Sequence, residues 1–224
     1  PFIIGYHNES EAFWAGTTER ILEKAFVLQH LTDLEGHCSN HLVLDVGAAE
    51  SMLAYEMASL GYSVTAIDIR PIALSHPNLK FVKCDICKPV FPAESFDCVI
   101  ALSTLEHIGL GWYGDKAGDD SAGGNSDCEA VKQISLLLKP EGRFILTVPY
   151  GQKAITPLHR VYDKEALEEL LQPCKIEQAF YGVRLDDFTW ITTKDETEAA
   201  NKQHDQTSYL PGAVAMLVCS KKSA

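Results

Sequence analysis

Short hydrophobic runs alternate along the chain with segments whose hydrophobic positions recur at helical spacing. The runs predict strands at 42–46, 63–67, 80–84, 96–102 and 143–148, and the helical spacing predicts helices at 18–34, 50–60, 71–74, 127–138 and 164–171. Strands separated by helices are typical of parallel β-α-β units whose sheet is covered on both faces. The pattern therefore predicts an α/β, doubly wound fold.

The pattern changes after Pro149. Strand-like runs at 175–181 and 213–219 bracket a polar stretch, and we expect them to pair as a hairpin at one edge of the sheet. The stretch Lys139–Gly142 is expected to be a turn that leads into the strand at 143–148.

The chain length favours one domain, 1–224, with an added N-terminal helix. Within it we assign 1–40 to an N-terminal helical extension and 42–151 to a ligand-binding core. The connections at 108–126 and 182–211 exceed ordinary loop lengths, and long loops in compact domains often cover binding sites. We therefore interpret both as substrate or lid loops.

The chain carries a formal net charge of -12, which leaves no basic face for a nucleic acid or an anionic membrane. No hydrophobic run approaches the ~20 residues that span a bilayer. The seven cysteines are odd in number and scattered, which is typical of reduced thiols in the cytoplasm. Cys84 and Cys87 have CxxC spacing, but without a second such pair they are interpreted as buried thiols beside a strand end.

Polar or special residues stand at four successive strand ends, at Gly47, Asp68, Asp85 and Ser103. In an open parallel sheet these ends share one edge, where ligands bind. A glycine lets a ligand approach the backbone, and a carboxylate at the second strand end can accept hydrogen bonds from ribose hydroxyls. The arrangement predicts a nucleotide-like ligand.

The glycine loop distinguishes between two nucleotide-like ligands. A dinucleotide pyrophosphate needs later glycines, whereas this chain has Ala49 and Ser51, and Glu50 would repel a pyrophosphate. S-adenosylmethionine has no phosphate and tolerates a nearby carboxylate. An NAD(P)-dependent oxidoreductase on a related fold stays open as an alternative, as does a non-catalytic protein that keeps the cofactor fold.

Five stretches together resemble the class I S-adenosylmethionine-dependent methyltransferases in order and spacing: VLDVGAAES, VTAIDIRP, VKCDIC, FDCVIALSTLEHIGLG and LLLKPEGRFILTVPYG. The resemblance implies a Rossmann-like methyltransferase fold, in which the terminal hairpin completes a mostly parallel seven-stranded sheet with an antiparallel last strand, and S-adenosyl-L-methionine as cofactor. It implies a cofactor loop at Asp45, Gly47, Ala48, Ala49, Glu50 and Ser51, ribose binding at Asp68 with Ile69, adenine binding at Asp85 with Ile86, and Ser103 and Thr104 beside the cofactor. The loop departs from the family's acidic-x-Gly-x-Gly-x-Gly at Ala49 and Ser51.

The family places the methyl acceptor beyond the fourth strand end. His107 is the candidate general base because an imidazole titrates near neutrality, and Glu106 could orient it. The alternative is that His107 packs under the cofactor. Candidate acceptor-binding residues are Trp112, Tyr113, His159, Arg160 and Tyr162. We expect no metal, because the acidic residues Asp115, Asp119, Asp120, Asp186 and Asp187 fall in polar loops that are usually solvated.

The sequence thus predicts a cytoplasmic methyltransferase that acts on a small-molecule acceptor through a hydroxyl or an amine, such as a sugar or a secondary metabolite. No nucleic-acid or membrane partner is expected, and the sequence indicates no oligomeric state.

Overall fold

A computed structural model describes residues 2–5, 14–32, 34, 38–114, 124–203 and 210–222. Its strands are β1 Phe2–Gly5, β2 Trp14–Thr17, β3 Leu42–Val46, β4 Ser63–Asp68, β5 Leu79–Lys83, β6 Phe96–Leu102, β7 Leu138–Pro149, β8 Ala154–Ile155, β9 Arg160–Val161, β10 Cys174–Arg184, β11 Trp190–Thr193 and β12 Ala213–Lys221. Its α-helices are α1 Arg20–Thr32, α2 Leu53–Ser59, α3 Ser126–Leu137, α4 Lys164–Leu170 and α5 Glu196–Ala200.

Eight strands form the main sheet, in the order β11-β10-β12-β7-β6-β3-β4-β5. The five central strands β3 to β7 run parallel, and β12 lies antiparallel between β7 and β10. This confirms the predicted fold class and the hairpin of the last two predicted strands. β11 adds an eighth strand at the edge, paired antiparallel with β10.

Helices cover both faces of this sheet, as its hydrophobic strands require. On one face α3 and α4 pack through Ile134 and Leu170 into one buried cluster. On the other, α1 and α2 pack through Val27 and Met57 into a second cluster. β6 contributes alternately to both, with Val99 in the first cluster and Ile100 in the second. The central strands are thereby fixed between two layers, and their carboxyl ends are held in register.

The predicted turn at Lys139–Gly142 lies within the bounds of β7. Phe96 pairs with Leu138 and Cys98 with Arg143, so residues 139–142 form a bulge in the ladder opposite Asp97. The Asp97 carboxylate accepts hydrogen bonds from the Leu42 amide and from Nζ of Lys139, each at 2.8 Å. One side chain thereby links β3, β6 and β7.

Three expectations about secondary structure were wrong. Residues 71–74 form no helix, because so short a segment cannot offset the cost of nucleating one. The N-terminal extension is not helical throughout, since β1 and β2 pair before α1. The supposed loop at 182–211 contains β11 and α5. Of the other long connection, residues 115–123 lie outside the described residues.

Across the described ranges, none of the helices combines the length and apolarity that crossing a membrane demands. All seven cysteines are free thiols, and burial raises the pKa of Cys87 to about 12. A thiol with so high a pKa stays protonated at neutral pH, which agrees with the interpretation of the CxxC pair as structural.

Candidate functional site

A cleft with an empty volume of about 820 Å³ lies at the carboxyl ends of β3, β4, β5 and β6. The predicted site residues that line it are Gly47, Glu50, Ser51, Asp68, Ile69, Asp85, Ile86, Ser103, Thr104, His107 and Tyr113. Four strand ends that are distant in sequence therefore meet in one concave site, as the strand pattern predicted.

Gly47 follows β3 in a left-handed conformation, with φ 78° and ψ 39°. A Cβ at this position would lie 2.3 Å from Cγ2 and 2.4 Å from Oγ1 of Thr104. Thr104 in turn donates a hydrogen bond to the Val46 carbonyl at 3.0 Å. The glycine is thus required for close contact between the loops after β3 and β6, in addition to its place on the cleft wall.

Asp68 ends β4 and is 5% exposed. Its Oδ2 accepts a hydrogen bond from the Ala49 amide at 2.9 Å, and Oδ1 accepts from the Arg70 amide at 2.8 Å and from Nε of Arg70 at 3.1 Å. The carboxylate therefore organises the loop after β3 at the same time as it faces the cleft. Ala49 contributes through its backbone, so an alanine satisfies this contact as well as a glycine would.

Arg70, Glu50 and Tyr113 form a charged and aromatic border along the cleft. The Arg70 guanidinium pairs with Oε1 of Glu50 at 2.5 Å and lies over the Tyr113 ring, 4.2 Å from its centroid. The Tyr113 hydroxyl donates to Oε2 of Glu50 at 3.4 Å. Because Arg70 also binds Asp68, this border extends from the predicted ribose carboxylate to the loop that follows His107.

Hydrophobic side chains at the ends of β4 and β5 make the wall of the cleft where the adenine is predicted. Ile67, Cys84 and Ile86 are all less than 9% exposed and line the cleft. Asp85 is exposed, and its Oδ1 accepts a hydrogen bond from the Cys87 amide at 2.9 Å, which closes the turn after β5. A flat apolar ring fits this wall.

His107 lies in a short 3₁₀ helix, Leu105–His107, after β6. Its Nδ1 is 2.6 Å from the Leu158 carbonyl, and because a carbonyl can only accept, Nδ1 carries the hydrogen. Burial lowers the pKa of His107 and outweighs the raising effect of that hydrogen bond. The neutral ring therefore keeps an unprotonated Nε2. Oε1 of Glu106 is 3.8 Å from Nε2, beyond hydrogen-bonding distance, so Leu158 and not Glu106 sets the ring's orientation.

Carboxyl groups gather behind the end of β6. Glu106 is 1% exposed and Glu23, from α1, is 0% exposed. Ser103 Oγ donates to Oε1 of Glu23 at 2.6 Å, and Arg20 NH1 donates to Oε2 of Glu23 at 3.1 Å and to the Leu102 carbonyl at 3.2 Å. Ser103 holds a left-handed φ of 42°, which is rare for a residue with a side chain and is typical of strained functional sites.

Burial, with a smaller contribution from the neighbouring Glu23, raises the pKa of Glu106 to about 8, against the lowering effects of a backbone hydrogen bond and of Arg20. Burial likewise raises the pKa of Glu19 to about 7, again with Glu23 adding and Arg20 opposing. A carboxyl group whose pKa is raised above neutrality is protonated in part at pH 7. The charges of Glu23 and Arg20, both on α1, therefore influence the protonation of Glu19 and Glu106.

Several predicted site residues lie outside the cleft wall. Asp45 is 2% exposed beneath the loop, and burial raises its pKa to about 7 against the effect of Arg20 and of a hydrogen bond from the Ala54 amide. Ala48 packs in the core below α2. Trp112 is 55% exposed. Asp45 is therefore buried and is not among the residues that line the cleft.

The residues after β7 that were expected to bind the acceptor also lie outside the wall of the main cleft. His159, Arg160 and Tyr162 are buried, and the last two line a second cavity on the α3 side. Arg160 NH1 donates to the Ile108 carbonyl at 2.7 Å, and the Tyr162 hydroxyl donates to Asp127 at 2.8 Å. Arg160 thus binds the segment that carries His107, Tyr162 binds α3, and none of the three residues lines the main cleft.

Sequence reasoning missed Arg20 and Arg70, which both line the cleft. Arg70 had a local signal, since it follows the predicted ribose carboxylate by two positions. Arg20 had none, because it reaches the site from α1 to the Leu102 carbonyl, 82 positions away.

The acidic loop residues show no metal site in the part that the structure covers. Asp115, Asp119 and Asp120 lie outside the described residues. Asp186 accepts from the Phe188 amide and Asp187 pairs with Arg184, both in the β10–β11 turn. No group of three His, Cys, Asp or Glu side chains suited to a metal occurs among the described residues.

Comparison with known families identifies a methyltransferase domain at residues 44–146. The mouse (Mus musculus) EEF1A lysine methyltransferase 4 is 30% identical over 123 residues, which are 51% of this chain and 48% of the mouse protein. The chain thus spans about half the length of this curated relative.

Solved structures share the fold at low sequence identity. One is the 1,6-didemethyltoxoflavin-N1-methyltransferase of Burkholderia thailandensis with bound 1,6-didemethyltoxoflavin and S-adenosylhomocysteine, with a TM-score of 0.54, 16% identity and coverage of 98% of this chain and 99% of that one. Another is the [4+2]-cyclase SpnF, with a TM-score of 0.61, 19% identity and coverage of 93% and 87%. These likenesses support the fold alone.

The methyltransferase domain spans β3 to β7, which carry the cleft, and the sheet order is that of the Rossmann-like methyltransferase fold. The domain match agrees with the superfamily that the five sequence stretches resemble, and with S-adenosyl-L-methionine as the cofactor that this resemblance implies. Residues 44–146 of this chain match a methyltransferase domain.

Proposed function

We propose that this chain transfers a methyl group from S-adenosylmethionine to a small molecule bearing a hydroxyl or an amine, with His107 as general base. The observation that carries the proposal is the cleft itself, where the ends of four parallel strands meet beside an imidazole with an unprotonated Nε2. The cofactor, when bound, supplies an activated methyl group.

The residues of the cleft suit this cofactor. Asp68 offers carboxylate oxygens to the ribose hydroxyls, and the apolar wall of Ile67 and Ile86 suits an adenine. Among the described residues, the buried Oδ2 of Asp45 has no hydrogen-bond partner, so a donor or cation in the loop beside it would be favoured electrostatically. Arg70 must share Asp68 with the ribose or swing aside.

The acceptor side of the cleft begins at Ser103 and His107. The Leu158 carbonyl fixes the imidazole so that Nε2 can take a proton from the acceptor. Burial keeps the pKa of His107 low, so the base is unprotonated at neutral pH. The protein's part in the reaction is alignment of the acceptor and removal of its proton.

Calorimetry with S-adenosylhomocysteine tests the donor half of the proposal. We expect saturable binding, weakened about tenfold or more in Asp68→Asn because a charged hydrogen-bond acceptor is lost. Asp195→Asn is the matched control, since Asp195 caps α5 away from the cleft. Absence of binding to the unaltered protein would overturn the proposal.

A lysine side chain of a protein is a second candidate acceptor, favoured by the similarity to the mouse lysine methyltransferase. Incubation of a cell extract with radiolabelled S-adenosylmethionine and the purified protein separates the two candidates. Label in a small molecule other than the donor, absent when the purified protein is omitted, supports the first acceptor class, and label in the protein fraction supports the second.

A further inference from the structure

The segment that carries His107 has little local structure of its own. Its 3₁₀ helix, Leu105–His107, is three residues long, and its N-cap residue Thr104 makes no side-chain cap. The amides of His107 and Ile108 donate to the carbonyls of Thr104 and Leu105 at 3.1 and 3.2 Å. So short a helix cannot fix its own orientation, because it has few hydrogen bonds and their geometry is poor. The position of the imidazole therefore depends on contacts from elsewhere in the chain.

One such contact comes from the β8–β9 hairpin, whose turn joins Ile155 to Arg160. The Leu158 carbonyl, in this turn, accepts the hydrogen on Nδ1 of His107 at 2.6 Å. This bond decides which ring nitrogen is protonated, since a carbonyl accepts but cannot donate. If the carbonyl turned away, the hydrogen could occupy Nε2 instead, and Nε2 would then be unable to accept a proton. The shape of the turn thus bears on the proposed base.

Thr156 shapes that turn through its hydroxyl group. Its Oγ1 accepts hydrogen bonds from the amides of Leu158 at 3.2 Å and His159 at 2.9 Å, and it donates to the His159 carbonyl at 3.0 Å. The Thr156 amide donates to the same carbonyl at 2.9 Å. Pro157 restricts the backbone further, because a proline ring fixes φ at about −65°. One side chain therefore holds most of the polar groups of this turn.

The peptide unit between Leu158 and His159 links the hydroxyl to the base. In a planar trans peptide, the C=O and N–H groups point in opposite directions. The N–H of this unit is held by Oγ1 of Thr156, so its C=O is directed away from Thr156 and toward Nδ1 of His107. Rotation of the unit would break both hydrogen bonds together. The two contacts are therefore coupled through one rigid group.

Arg160 fixes the hairpin against the backbone on both sides of the base. Its NH1 donates to the carbonyls of Glu106 at 3.4 Å and Ile108 at 2.7 Å, the two neighbours of His107. The residue is 6% exposed, and Oδ2 of Asp127 lies 3.5 Å from its Nε. Because the hairpin is anchored in this way, the main freedom left to the turn is rotation of the peptide unit that binds the ring.

We propose that Thr156 is a positioning residue for His107: its hydroxyl orients the Leu158–His159 peptide unit so that the base carries its hydrogen on Nδ1 and presents Nε2 to the acceptor. The proposal rests on the proposed function, in which His107 is the general base. Thr156 does not line the cleft, so it acts through His107 and not by contact with the cofactor.

Thr156→Val removes the hydroxyl and keeps the shape of the side chain, whereas Thr156→Ser keeps the hydroxyl. We expect kcat to fall about tenfold in Thr156→Val, the factor of one hydrogen bond, and to stay within about threefold of the original in Thr156→Ser. Affinity for S-adenosylhomocysteine should not change. The acceptor is the one identified by label transfer, and thermal unfolding shows that each variant is folded.

Thr193→Val is the matched control. Thr193 also accepts a hydrogen bond from an amide, that of Asp195 at 2.9 Å, but in the turn before α5. We expect this variant to keep the kcat of the original protein.

The pH profile of kcat/KM separates positioning from a general loss of structure. Burial lowers the pKa of His107, and the bond to the Leu158 carbonyl raises it. Loss of that bond lowers the pKa further, so the acidic limb of the profile should move to lower pH in Thr156→Val and stay in place in Thr193→Val. The other charged and titratable groups near the ring are unchanged in both variants: Arg20, Glu50, Arg70, Glu106, Tyr113 and His159.

Heteronuclear NMR of the imidazole nitrogens needs no acceptor. The nitrogen chemical shifts distinguish the two neutral tautomers, and comparison with His107→Ala assigns the signals. We expect His107 to be the Nδ1–H tautomer in the original protein and a mixture of tautomers in Thr156→Val.

Equal activity of Thr156→Val and Thr193→Val, an acidic limb that does not move, or a ring that keeps the Nδ1–H tautomer without the hydroxyl would each overturn the assignment. A loss in Thr156→Ser as large as that in Thr156→Val would also overturn it. Full activity of His107→Ala would instead overturn the proposed role of His107 as base, and failure to bind S-adenosylhomocysteine would overturn the donor half of the proposed function.

Discussion

The geometry around His107 makes its contribution separable from that of the cofactor-binding residues. We expect His107→Ala to lower kcat by about 10²- to 10⁴-fold, the range of general base catalysis, with affinity for S-adenosylhomocysteine within about twofold of the original. The acceptor found in the assays above serves for kinetics, and calorimetry measures binding. A comparable loss of cofactor affinity would show that the ring packs under the cofactor instead.

Gly47 offers a test with an internal control. Gly47→Ala places a methyl group against Thr104 and keeps a left-handed φ, whereas Gly114→Ala at φ 87° meets nothing within 4 Å. Both substitutions carry the cost of a left-handed backbone conformation, so the additional loss of stability in Gly47→Ala measures the steric clash with Thr104. We expect an excess of about 1–3 kcal/mol in urea unfolding. Equal losses would show that the two loops can separate freely.

At the residue scale, sequence reasoning located the polar strand ends but not all of their contacts. Gly47 and Asp68 were predictable because their chemistry and spacing are local. The Thr104 contact with Gly47 and the Leu158 contact with His107 were not, because both partners come from loops far away in sequence. The orienting role expected of Glu106 was wrong for the same reason.

At the element scale, Asp97 joins three strands at the end opposite the cleft. We expect Asp97→Asn to reduce the free energy of unfolding by about 1–3 kcal/mol, because the Leu42 amide and Lys139 lose a charged acceptor. Affinity for S-adenosylhomocysteine should change little. Urea unfolding and calorimetry measure the two quantities, and a large loss of affinity would mean that the strand ends shift together.

The same side chain has a predictable pH dependence. Burial opposes the shift, but the Leu42 amide and Lys139 lower the pKa of Asp97 below 3.8. Its contribution is therefore present above pH ~4 and is lost as the pH falls through the lower folded value. The stability difference between the original and Asp97→Asn should shrink below that pH.

Central strands were readable from sequence because burial on both faces makes them continuous hydrophobic runs. β11 was missed, since Trp190–Thr193 is short and depends on pairing with the far end of β10. α5 was missed because only Ala199 of this helix is fully buried, which leaves little periodic signal. The predicted helix at 71–74 was wrong, because helix propensity without tertiary packing does not stabilise a single helical turn.

At the scale of the whole molecule, buried carboxyls should make stability fall as pH rises. Burial raises the pKa of Asp45 and Glu19 to about 7 and that of Glu106 to about 8 in the folded protein. The unfolded chain releases these protons at pH ~4 to 4.5. Between those values the folded state binds more protons, so the free energy of unfolding decreases with pH, by up to about 1.4 kcal/mol per pH unit for each group.

Urea unfolding of the cofactor-free protein from pH 5 to pH 8 measures this slope. The lowered pKa of His107 makes the free energy of unfolding rise with pH just below pH 6.5. It is a single group, whereas three carboxyls act in the other direction. Glu106→Gln should flatten the slope, whereas Glu177→Gln, at an exposed carboxylate on β10, should leave it unchanged. A stability that rises steadily to pH 8 would show that the three carboxyls are ionised in the folded protein.

The fold class followed from alternating strands and helices, a pattern that runs through the whole chain. The side of the cleft beside Ser103, where the acceptor is proposed to bind, could not be predicted from the sequence. It depends on α1 lying across the end of β6. Glu23 and Ser103 are 80 positions apart, and nothing in either neighbourhood indicates the other.

That contact also has an evolutionary consequence. The recognised methyltransferase domain begins at residue 44, whereas Arg20 and Glu23 come from the helix before it. The helix that supplies Arg20 and Glu23 therefore lies outside the stretch that matches the domain. A lineage could exchange this leading segment by recombination, or change it by gradual drift, without altering the residues of that stretch.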